Sequence, residues 1–101
     1  MGADFTKAGK DRGDIEAELK NMIISAKVNI SAYLTNIEDL TKEELESDLT
    51  EYTNQLSRYI IPIVKRAEST GDVKLIKMAH ELRELHENLM NQIKERIKAL
   101  P

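Results

Sequence analysis

Residues 41–72 read TKEELESDLTEYTNQLSRYIIPIVKRAESTGD, and this stretch decides the fold. Thr41 followed three residues later by Glu44 is a capping box. Each side chain satisfies a backbone N–H that the start of a helix leaves without a partner. Leu45, Leu49, Tyr52, Leu56, Tyr59, Ile60, Ile63 and Ala67 then recur at helical spacing. At about 100° per residue they share one side of a helix. Pro62 removes one backbone hydrogen bond, and its ring crowds the carbonyl of Arg58. The stripe continues to Ala67, which predicts a kink near Arg58–Pro62 and not a break. Gly71 stops the helix and Asp72 caps the next one. So short a link makes the two helices antiparallel neighbours.

On the carboxyl side, Leu75, Ala79, Leu82, His86, Leu89, Met90, Ile93, Ile97 and Leu100 form a second stripe. Lys94, Arg96 and Lys98 suit the negative end of that helix. On the amino side, Asp14 is the expected cap, and Glu16 and Glu18 favour a helix start. Ile15, Leu19, Met22, Ile23, Ala26, Ile30, Tyr33, Leu34 and Ile37 make the third stripe. The expected helices run over 14–38, 42–69 with the kink at Pro62, and 72–99. The expected fold is all-α: an up-down-up antiparallel three-helix bundle over 14–101, behind a flexible arm over 1–13. The long stripes also permit dimerisation through helix one, which could pair with a second copy of the chain.

The chain has 101 residues, 41% hydrophobic and 33% charged, a net charge of −3 and no Cys. This is one domain with enough apolar material for a core. The absence of Cys excludes a disulfide framework and Cys-ligated metal, and suits a cytoplasmic protein. The acidic balance weighs against general nucleic-acid binding. Lys65, Arg66, Lys74 and Lys77 do cluster near the helix two–three turn, which keeps a nucleic-acid-binding accessory role as a further reading.

Helix one departs from the usual pattern of charges on the outer face. Opposite its core stripe lie Asn21, Ile24, Val28, Ser31, Ala32 and Thr35. That side is uncharged for about four turns. The centre of an interface has this composition, because a buried unpaired charge is costly. Ile24, Val28, Ser31 and Thr35, with Ile61 of helix two, are the candidate partner-binding residues. The partner would be another protein or a second copy of the chain.

Two histidines carry the remaining chemistry. His80 lies off the core stripe and should be solvated. His86 lies within it, level with Leu56 and with Ala26, whose small side chain leaves room for an imidazole. A core histidine needs a hydrogen bond, and Tyr52, Tyr59 or a backbone carbonyl are its candidate partners. The run His80-Glu81-Leu82-Arg83 resembles the phospho-accepting box of histidine kinases, and Arg83-Glu84-Leu85-His86-Glu87-Asn88 resembles a second version of it. The resemblance implies phosphotransfer through His80 or His86. The separate motif of phosphotransfer domains is not met, since Arg83 and Glu84 stand where its Lys and Gly would be.

No set of residues matches a metal centre, a phosphate loop or a nucleophile with its base. The expected protein is therefore not an enzyme, and takes no cofactor, metal or small-molecule substrate. Met1-Gly2-Ala3-Asp4-Phe5-Thr6 satisfies the pattern for N-myristoylation, so contact with a membrane would require lipid on Gly2.

Overall fold

In a computed structural model, the backbone is described for residues 2–101 and the side chains for residues 13–101. The Gly2 modification and residues 1–12 of the expected flexible arm over 1–13 lie outside the residues whose side chains are described. Four α-helices follow in order: α1 (Gly2–Asn36), α2 (Lys42–Gln55), α3 (Ile61–Thr70) and α4 (Val73–Ala99). A 3-10 turn (Ile37–Asp39) follows α1, and a π-helical turn (Leu56–Ile60) joins α2 to α3. Three helical rods therefore pack together, the middle one being α2 and α3 in series. Among the described residues no strand occurs and no helix is long and apolar enough to cross a membrane.

The local signals act as their chemistry requires. Thr41 Oγ1 accepts from the Glu44 N–H at 3.1 Å, and Glu44 Oε1 accepts from the Thr41 N–H at 2.9 Å. Gly71 takes the left-handed conformation at φ 70° that ends α3. The Asp72 carboxylate accepts from the Lys74 and Leu75 N–H groups at the start of α4. Asp14 differs from expectation. It lies inside α1 and does not cap it.

The middle rod also departs from the simple kink expected. The Ile61 N–H donates to the Leu56 carbonyl, five residues back. Pro62 then falls in the first turn of α3, where a missing N–H costs little. Each residue of a π-turn advances less than the 100° of an α-helix. The buried face beyond the turn therefore shifts toward later positions. Ile60, Ile63, Val64 and Ala67 are buried, and Tyr59, expected in the stripe, is 60% exposed.

Packing forms two apolar clusters stacked along the bundle. One holds Ile15, Leu19, Ile23, Ile63, Ala67, Leu75 and Leu82, among others. The other centres on Leu45, Leu89 and Ile93. Each fully buried Leu or Ile contributes about 1.5–3 kcal/mol from water exclusion. Polar links tie the rods at the surface. Between α1 and α4 they run Glu16–Lys74 at 2.9 Å and Lys27–Glu81 at 3.3 Å. Beyond the end of α1, Arg96 donates to the Glu38 carbonyl at 3.3 Å. Between α1 and the middle rod they are Arg66–Glu18 at 3.1 Å and Tyr33–Asp48 at 2.8 Å. Lys74 and Lys20 hold the Glu16 carboxyl below the ordinary carboxylate range.

Candidate functional site

The outer side of α1 presents the residues singled out from its sequence. Ile24 is 61% exposed and Val28 63%. Ser31 and Thr35 are also exposed. Spacings of four, three and four put all of them on one face. Two polar side chains at the end of this helix bond back to its own carbonyls. Thr35 Oγ1 donates to the Ser31 carbonyl at 2.8 Å, and the Asn36 amide to the Ala32 carbonyl at 3.1 Å. The face offers a neighbour aliphatic surface at Ile24 and Val28 and hydroxyls at Ser31 and Thr35. Ile61 is half-buried on α3 and adds less surface than expected.

A second feature adjoins this face. Among the described residues, no Cα of α1 lies within 8 Å of one in α2 or in the π-turn, whereas α1 packs closely on α4. A half-open cavity of about 260 Å³ fills the gap. Met22, Ser25, Ala26, Asn29 and Ile30 of α1 form one wall. Tyr52, Gln55, Tyr59 and Ile60 form the opposite wall, and Leu82, His86 and Leu89 of α4 form the floor. Ser25 and Asn29 each follow one of the exposed aliphatics, so the cavity mouth and the Ile24–Val28 face meet along α1. None of the lining residues carries a formal charge except His86 when protonated.

His86 is 7% exposed, as its place in the stripe predicts. Its acceptor is the Tyr52 carbonyl, 2.7 Å from Nε2, a turn earlier than the level of Leu56 expected from the sequence. A carbonyl only accepts, so Nε2 carries the proton. The same carbonyl also takes the Leu56 N–H at the entry to the π-turn. The Tyr52 ring stands edge-on to the imidazole at 5.6 Å and to the Tyr33 ring at 5.7 Å. Burial pushes both tyrosine hydroxyls above their ordinary pKa, and the Asp48 carboxylate that receives the Tyr33 hydroxyl adds to the shift.

The other candidates lie elsewhere. His80 is exposed, with Nε2 3.2 Å from Glu68 Oε2. It is not part of the cavity. Of the four cations near the helix two–three turn, Arg66 pairs with Glu18 and Lys74 with Glu16, which weakens that patch as a phosphate surface. The cavity itself was only half legible. The sequence placed Ala26 beside His86, but gave the space to the imidazole alone. Comparison with protein-family models, with curated proteins and with solved structures finds no match to this chain.

Proposed function

We propose that this chain is a non-enzymatic helical interaction module: an adaptor, an inhibitor or a small subunit of an assembly. It binds another protein, or a second copy of itself, through the outer face of α1. One observation carries the reading. Ile24 and Val28 stand 61% and 63% exposed in the middle of a side without charge. Burying each against a partner would contribute about 1.5–3 kcal/mol, with Lys20 and Lys27 left at the edge of the face in their pairs with Glu16 and Glu81.

An up-down-up course fits this role. Its support is the order of the cross-links. Partners on α1 and α4 rise together, from Glu16–Lys74 to Lys27–Glu81. Partners on α1 and the middle rod run in opposite directions, from Glu18–Arg66 to Tyr33–Asp48. Such a bundle leaves one side of α1 free for a fourth helix or for α1 of a second copy. A cytoplasmic setting agrees with the lack of Cys.

The test is Ile24→Glu combined with Val28→Glu, read by light scattering and by binding to the captured partner. Both positions are exposed, so helicity and melting should stay close to those of the parent. Association should weaken by about 2–4 kcal/mol, through lost burial and the desolvation of two carboxylates. Association that survives both substitutions would remove this surface from consideration.

A further inference from the structure

The core is interrupted at one level. Between the two apolar clusters the half-open 260 Å³ cavity indents the side of the bundle, down to the α4 residues Leu82, His86 and Leu89. We propose that this cavity is a binding site for a small uncharged aromatic molecule, of one or two rings, that carries a hydroxyl or N–H donor. The ring lies between the α1 wall and the tyrosines of the middle rod, with its donor on His86.

Three observations select that chemistry. First, the walls include no Asp, Glu, Lys or Arg, so a charged ligand would lose its water without gaining a counter-ion. Second, the floor is apolar at Leu82 and Leu89, and Tyr52 and Tyr59 supply aromatic surface at the side. Ligand sites share this mixture of apolar lining and a few polar groups. Third, His86 is more than nine-tenths buried and lines the cavity. Its Nε2–H is committed to the Tyr52 carbonyl. In the neutral ring Nδ1 is then an acceptor, and among the described residues no hydrogen bond reaches it. A ligand that satisfies it must bring a donor. Phenol and toluene differ in that one group and are nearly equal in size.

The experiment titrates the isotope-labelled full chain with phenol and with toluene, followed by NMR. Phenol should give saturable shifts at Ala26, Tyr52, Ile60 and His86, with Kd on the order of a millimolar. Ala26→Met extends a side chain into the cavity and should weaken phenol at least about tenfold, with the fold checked by helicity and melting. His86→Phe removes the acceptor. It should weaken phenol about five- to tenfold and change toluene less than about twofold. The Ile24→Glu, Val28→Glu variant should bind phenol as the parent does, which separates this site from the α1 face. Absence of saturable shifts, or a phenol Kd untouched by Ala26→Met, overturns the proposal. An equal loss of phenol and toluene in His86→Phe overturns the role of the imidazole.

Discussion

At the scale of single residues, three rings and one carbonyl link the three rods at one level. Tyr33, Tyr52 and His86 meet edge to face, and the Tyr52 carbonyl ties the imidazole to the middle rod. The stripes placed all three rings inward. The sequence offered several partners for His86 and could not choose, because the choice depends on an axial offset of one turn between rods. The tyrosines give this cluster a pH signature. Their folded pKa values lie above the ordinary value of 10. The neutral hydroxyls thus add stability that is complete below pH 10 and is lost as pH rises toward the folded values. The melting midpoint should fall above pH 10, and Tyr33→Phe should make that fall shallower. A variant whose alkaline slope equals the parent's would contradict the assignment.

At the scale of elements, the caps and stops were the most legible features. Thr41–Glu44, Gly71 and Asp72 each act within a few residues, so local sequence fixes their geometry. The π-turn was not legible. A proline within an unbroken stripe signals a kink and a π-turn alike, and only the phase beyond it separates them. Tyr59 turned outward and Val64 turned inward record the added residue. A π-turn is an α-helix with one residue inserted. Deleting exposed Ser57 should therefore restore a regular helix and keep both flanks in phase. It would also leave Pro62 within a helix interior, at a cost of about 3 kcal/mol. Pro62→Ala in the deleted chain should recover most of that loss in urea denaturation. A deletion that is neutral with Pro62 present would show that the turn does not accommodate the proline.

At the scale of the whole molecule, the α1 backbone packs closely on α4 and is set further from α2 and the π-turn, which it reaches through side chains such as Tyr33. The opening between them was beyond reach of the sequence, since rod separation depends on all facing side chains at once. The uncharged face of α1, by contrast, was plain from spacing alone, because exposure on a helix follows from the angle to its apolar stripe. Ile24, Val28, Ser25 and Asn29 join that face to the cavity mouth around one side of α1, with Lys27 on the other side, paired with Glu81 of α4. The outer face of α4 is its natural control, with exposed Glu81 and Glu84. Site-specific photo-crosslinking compares the two directly, with a photoreactive phenylalanine analogue placed at Val28 or at Glu84 in the native host. The account predicts a covalent adduct to a second polypeptide chain from Val28 and none from Glu84. No adduct at Val28, or equal adducts at both positions, would contradict it.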